Sequence, residues 1–295
     1  SANALWGKAL LFRGTVEDDQ QDITEALSAF NRVSNVSLTP KYQDNFSAFD
    51  ENNEESIFEI QVGDRFATTS VWGDDDGNPQ GTIAGFWGFF DNDYFMWNNP
   101  RFVPTQALMD AYEEGDPRED YTIVEETDDN EIQIGKYVTD DAYITQRPSG
   151  RSLSINNPRI IRYADVMLMK AEALVRSGGS LSEAIGLVNE IRERARMSTE
   201  DGTEAAAPID RPTTETDRDT VLDWIFEERR IELVAEEGHR WFDLRRRHMA
   251  GEIDLNTWDF SSLRNDFEFR ERNILLPIPA FEFELNPNLT QNPGF

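Results

Sequence analysis

The sequence predicts a mainly α-helical protein built of helical hairpins and interrupted by one long, irregular insertion containing short β-strands. Three observations carry that prediction. Apolar residues recur at helical spacing in two separated pairs of segments, near 4–35 and 160–197. The stretch between them, 38–158, loses that period and alternates short strand-like runs with segments rich in Gly, Asp, Asn and aromatics. Beyond the second pair, residues 224–246 carry their charges in helical order. At 295 residues the chain is long enough to bury a sizeable core. It reads as one domain with a hairpin over 1–37, the insertion over 38–158, a second hairpin and a long helix over 159–250, and an irregular segment over 251–295.

The elements follow in order. Leu5, Ala9 and Phe12 share one helical face, and Gly14 is expected to stop that helix. The acidic run Glu17–Asp22 reads as a solvated connection. Ala26 and Phe30 then reproduce the Ala-x-x-x-Phe spacing of a tetratricopeptide second helix, with Val33 continuing the stripe. Ser56–Val62 alternates apolar and polar side chains and reads as a strand; Tyr121–Val124 and Ile132–Tyr137 read as two more around the acidic turn at 128–130. Gly178-Gly179 breaks the first helix of the second pair, and Ser180 with Glu183 starts the next as a capping box. Ala184, Leu187, Val188 and Ile191 form its buried face. A Thr-, Glu-, Ala- and Pro-rich loop occupies 198–217, and Thr216-Asp217-Arg218-Asp219 caps the long helix. After residue 250, repeated Pro and Asn forbid long regular elements.

Composition excludes several function classes. A net charge of -29, with four lysines against 24 arginines and 57 acids, argues against nucleic acid, which needs clustered cations, and against an anionic membrane surface. Such acidity with few lysines fits a salt-rich habitat, where counterions screen self-repulsion, or an ordinary acidic secreted protein. Zero cysteines exclude disulfides and thiolate metal sites. No apolar run reaches the roughly 18 residues that cross a bilayer, and no secretory signal opens the chain. Residue 4 onward already reads as the middle of a helical pattern, so the sequence is expected to be the C-terminal portion of a longer protein.

The charged block is the most ordered feature. Glu228, Glu232, Glu236, Arg240 and Asp243 follow at steps of four, four, four and three, which on one helix stacks them along one side, with Arg229 beside the row. Ile225, Leu233, Phe242 and Leu244 interleave apolar surface. Ions so placed are partly buried and need mutual pairing, because an unpaired buried charge costs about 3–5 kcal/mol. The expectation is a structural ion network of these six residues. Arg245-Arg246-Arg247, the one basic cluster, is expected to neutralise helix-end carbonyls and the preceding acids.

The same block resembles the C-terminal signature of the SusD/RagB family of outer-membrane nutrient-binding lipoproteins, through Glu228-Arg229-x-x-Glu232-Leu233 and Glu237-Gly238-x-Arg240-x-x-Asp243-Leu244-x-Arg246. Arg162-Tyr163-Ala164-Asp165, running on to Lys170-Ala171-Glu172-Ala173, is similar to its central helix. Leu276-Pro277-Ile278-Pro279 with Asn292-Pro293-Gly294-Phe295 is similar to its closing segment, and Pro104-Thr105 through Asp116-Pro117-Arg118 to an upstream turn-and-helix element. The resemblance implies a SusD-like α-α superhelix. It implies a non-catalytic protein on the outside of the outer membrane, which captures oligosaccharide and delivers it to a TonB-dependent, SusC-like transporter. Membrane attachment would come only from a lipid anchor in the missing N-terminal part, and no cofactor is implied.

The candidate ligand site is the stretch 86–99. Seven aromatics fall within residues 86–97, mixed with Gly, Asp and Asn and without helical or strand period, and Trp72 precedes them. Sugar rings present flat C–H faces that pack on aromatic rings, while their hydroxyls bond to Asp, Asn and Arg. Trp72, Trp87, Tyr94 and Trp97 supply the first kind of contact; Asp91, Asn92, Asp93 and Arg101 supply the second. The bland reading is that these rings fasten the insertion to the helices. Asp74, Asp76 and Asn78 offer oxygens for calcium but lack the spacing and closing Glu of an EF-hand, and read more simply as a solvated acidic turn. His239 and His248 are too far apart in the pattern to make a metal pair. Phosphate-loop, serine-hydrolase and zinc-protease motifs are missing from the sequence. Two other functions remain open on residues alone: a glycan hydrolase using paired carboxylates, and a repeat scaffold that binds proteins or peptides.

Overall fold

Two glycines set how closely the first two helices pack. Helices α1 (Ala2–Glu17) and α2 (Gln20–Phe30) form a hairpin in which a Cβ at Gly7 would lie 2.5 Å from the Phe30 ring, and one at Gly14 would lie 2.9 Å from Asp22 and Ile23. Gly14 therefore lies inside α1 as a contact point. The helix ends four residues later at Asp18, left-handed at φ 53, whose amide bonds the Gly14 carbonyl. Asp19 caps α2 by accepting from the amides of Gln21 and Asp22. The acidic connection is thus a cap pair, and Asp22 is buried and held by Arg13 at 2.7 Å. Gly7→Ala is expected to cost about 1–3 kcal/mol by overpacking, read as a lower urea midpoint. Gly186→Ala, which meets open space on a helix, should be neutral or stabilising by up to about 1 kcal/mol.

A computed structural model describes residues 1–61, 103–125, 132–137, 144–146, 152–154, 156–260 and 267–295. They divide into two units, Ser1–Arg240 and Trp241–Phe295. The helical class with hairpins and short strands that the sequence predicts is the class observed.

In the first unit, α3 (Gln106–Met109) and α4 (Pro117–Thr122) belong to the insertion, and α5 (Tyr163–Arg176), α6 (Leu181–Arg196) and α7 (Arg218–Glu232) follow it. Helix α5 is apolar on both sides, which is the pattern of a helix with neighbours all round. Val166, Met169 and Ala173 pack with Leu10, Leu11, Ile23 and Phe30 of the first hairpin. Met167, Leu168, Ala171 and Val175 pack with Ala184, Ile185, Val188 and Ile191 of α6 and with Val221 and Ile225 of α7. Gly178, at φ 78, turns the chain after α5, and Ser180 accepts from the Glu183 amide to open α6. Asp217 opens α7 in the same way, through Thr220.

One strand pair ties the insertion to this frame, and two more lie within it. β1 (Ser56–Glu59) runs antiparallel to β6 (Arg159–Arg162), in register Ser56↔Arg162 and Glu59↔Arg159 with irregularities between. β2 (Ile123–Glu125) pairs with β3 (Ile132–Ile134), and β4 (Ile144–Gln146) with β5 (Ser152–Ser154). Tyr121 and Thr122, expected in a strand, end α4 instead. Asp116 caps that helix and Pro117 fills its first position, start signals that outweigh the β preference of two residues.

The block 224–246 is not one helix. α7 stops at Glu232, and Ala235, Glu237 and Gly238 take left-handed φ values of 56, 38 and 71. Such residues break the i→i−4 ladder, and α8 (His239–Met249) starts anew. Glu236, Arg240 and Asp243 therefore do not continue the row begun by Glu228 and Glu232. The second unit begins at Trp241, ahead of the irregular tail; its own core gathers Leu244, Leu255, Phe269 and Ile274, with Ile253 and Phe260 against them.

Candidate functional site

The roots of the insertion meet α6, α7 and the turn after α7 in a buried ionic cluster. Asp116 holds the Arg118 guanidinium side-on, with Nη2 to Oδ2 at 2.7 Å. From that position Arg118 Nη1 reaches Glu228 at 2.5 Å and Glu232 at 2.9 Å. Arg162, ending β6, donates to Glu55 and Glu232 through Nη1 at 2.7 Å each, and to both carboxylate oxygens of Glu236 through Nε and Nη2 at 2.7 and 2.8 Å. Arg194 from α6 bonds Glu55 at 3.0 Å and also Glu232. Arg192, two residues earlier on the same helix, joins Glu228 at 2.8 Å and Glu113.

Lys136, just past β3, closes the cluster. Its ammonium donates to Glu236 at 2.5 Å and to the carbonyls of Glu232 and Val234 at 3.0 Å, while the rings of Tyr42 and Phe46 lie 4.8 and 4.3 Å away. Those rings pack edge-on at 5.1 Å, and Phe46 also meets Tyr137 at 5.0 Å. Asn45 and Thr39 complete the Glu55 carboxylate at 3.0 and 3.1 Å. Asn156, ahead of β6, and Arg159, its first residue, hold the carbonyls of Phe46 and Ser47 at 2.6 and 2.8 Å. A second, smaller group gathers at the start of α5, where Asp165 takes Arg229 at 2.8 Å and Lys8 at 3.0 Å.

Burial alone would raise the carboxylates of Glu55, Glu232 and Glu236, but the guanidiniums around them outweigh it. Arg194 and Arg162 hold Glu55 and Glu232 down, and Arg162 with Lys136 holds Glu236 down. Burial draws the Lys136 ammonium down to about 8 despite Glu236 beside it. A glycosidase acid needs a carboxyl pushed up and open to the sugar. These carboxylates are pushed the other way and closed in, so their chemistry is fastening.

Of the residues singled out from sequence, Trp72, Trp87, Asp91, Asn92, Asp93, Tyr94, Trp97 and Arg101 lie outside the described residues, as do Asp74, Asp76 and Asn78. Glu228, Arg229, Glu232 and Glu236 are all buried in the first unit. Arg240 is half-buried at the end of that unit. Asp243 pairs with Arg246 at 2.9 Å inside the second unit. The partners of the four come from elsewhere: Arg118, Lys136, Arg162, Asp165, Arg192 and Arg194. Arg118, Arg162 and Asp165 stood inside the motifs quoted for the family resemblance, which was the available signal for them.

A family model described as the SusD family matches residues 31–295. SusD-like protein P2 of Formosa agariphila is 34% identical over 180 residues, covering 59% of this chain and 33% of that protein. Among solved structures, a SusD superfamily protein from Parabacteroides distasonis superposes with a TM-score of 0.72 at 21% identity, covering 99% of this chain and 62% of that one. Surface glycan-binding protein A from Bacteroides thetaiotaomicron, in complex with laminarihexaose, superposes at 0.67 and 23% identity over 96% of this chain and 62% of that one. The match thus spans about a third of the curated relative and less than two thirds of the solved chains.

Proposed function

Because the chain belongs to the SusD family, we propose that it captures an oligosaccharide at the outer-membrane surface without chemical turnover and passes it to a SusC-like TonB-dependent transporter. The observation that carries this reading is the aromatic stretch 86–99, in a chain whose fold matches a relative solved with laminarihexaose. Sugar faces stack on Trp72, Trp87, Tyr94 and Trp97, and hydroxyls bond to Asp91, Asn92, Asp93 and Arg101. The buried cluster fixes the roots of the segment that carries them, which lowers the conformational cost of binding.

A glycan panel followed by calorimetry on the Trp87→Ala/Trp97→Ala double variant tests the site. Removing two stacking rings is expected to weaken affinity at least tenfold, about 1.4 kcal/mol, with the melting temperature unchanged. A folded double variant with full affinity would move the site elsewhere, and product released from any oligosaccharide would replace capture by hydrolysis. Co-purification with an outer-membrane transporter tests the delivery step.

A further inference from the structure

The small group at Asp165 joins three elements around a buried histidine. Lys8 on α1 donates to Asp165 Oδ2 at 3.0 Å and lies 3.3 Å from His239 Nδ1. An ammonium has no acceptor, so Nδ1 takes its hydrogen bond with a lone pair, and the ring is neutral with its proton on Nε2. A proton on Nδ1 would set two N–H groups against each other. The same Nδ1 lies 4.0 Å from Asp165 Oδ2, so a charged ring has an anion at hand once Lys8 leaves. Lys8 has the way out: its side chain is 19% exposed, against 0%, 1% and 3% for Asp165, Arg229 and His239.

We propose that Lys8, Asp165 and His239 form a proton-operated fastener, in which protonation of His239 expels Lys8 from Asp165 and frees α1 from the segment 233–239. Arg229 stays on Asp165 at 2.8 Å in either arrangement. The other charges facing the ring come from the turn. Glu236 is already shared by Arg162 and Lys136, and Glu237 has a carboxyl that burial and Glu236 push up. A third positive charge beside Lys8 and Arg229 therefore has, among the described residues, Asp165 to meet, and the mobile lysine yields.

Burial, with Lys8 and Arg229 adding to it, outweighs Asp165 and draws His239 down to about 4 in the fastened arrangement. With α1 released the ring returns toward the ordinary 6.5. As pH falls from 6.5 to 4, release is favoured by up to about tenfold per pH unit.

Amide hydrogen exchange of the peptide spanning 1–17, corrected for intrinsic rates, reads this directly. Opening of α1 should rise tenfold or more between pH 7 and pH 5. His239→Gln, which accepts from Lys8 but takes no proton, should hold the pH 7 protection at both values; Lys8→Met should be open at both. A wild type with no rise, or a rise that persists in His239→Gln, overturns the proposal. Should His239→Gln fail to fold, nitrogen NMR of the wild-type ring decides: the fastener requires a neutral ring with its proton on Nε2 at pH 7, and a charged ring or a proton on Nδ1 overturns it.

Discussion

Glu232→Ala should be the most damaging single substitution in the first unit, costing about 3–5 kcal/mol or preventing folding outright. The carboxylate stands among three guanidiniums, with Arg118 at 2.9 Å, Arg162 at 2.7 Å and Arg194 alongside. Its removal leaves buried positive charges facing one another. Glu232→Gln separates charge from shape: it keeps an acceptor but not the anion, and most of the loss should remain. Glu227→Ala, five residues earlier on the exposed face of α7 and paired with Arg211 at 3.0 Å, should change stability by less than about 1 kcal/mol. Urea midpoints at pH 7 compare the three. A Glu232→Gln protein as stable as the wild type would mean that the anion is unnecessary and that the cluster is held by geometry alone.

Acid should unfold the first unit over a wide range. Glu55, Glu232, Glu236 and Asp165 all have folded-state pKa values below their ordinary ones. A depressed carboxylate binds fewer protons in the fold than in the open chain. Its stabilisation is therefore complete above the unfolded value near 4.5 and disappears as pH falls through the folded one. Each of the four therefore adds stability of this sign, and all of it is lost as acid reaches the cluster. His239 acts earlier, between 6.5 and about 4, with the same sign, because its folded value is also depressed. Stability measured from pH 7 to pH 2 should fall in two stages. His239→Gln should remove the first stage, and Glu232→Gln should shrink the second.

How much of this was legible follows from the range of each interaction. The hairpins were readable because apolar stripes, the Ser180 cap and the Gly178 turn are set within a few residues of sequence. The Glu228–Glu232 pair was readable because one helical turn places both on one face. The break at 233–238 was only partly legible: Gly238 is an ordinary turn residue, but left-handed Ala235 and Glu237 are residue types that carry no turn signal. The cations that serve those acids were hidden for another reason: Arg118, Arg162 and Lys136 look like surface residues until distant chain folds over them. The Asp22 and Gly14 misreadings share that origin, each being decided by the neighbouring helix rather than by its own segment. The aromatic platform was legible as chemistry and stays a proposal.

The sequence separations inside the cluster carry a consequence for how the chain is assembled. Arg194 meets Glu55 across 139 residues, Arg118 meets Glu228 across 110, and Lys136 meets Glu236 across 100. Closing such long loops is slow, because their entropy is spent before any contact rewards it. Glu228, Glu232 and Glu236 are also the last of these groups to be synthesised. Until they arrive, Arg118 has Asp116 and Arg162 and Arg194 share Glu55, but the carboxylates of α7 and of the turn after it are missing from the cluster. Growth of the chain through residue 236 thus sets the moment at which this unit can first become native, and a nascent chain shorter than that should remain open to proteases and chaperones.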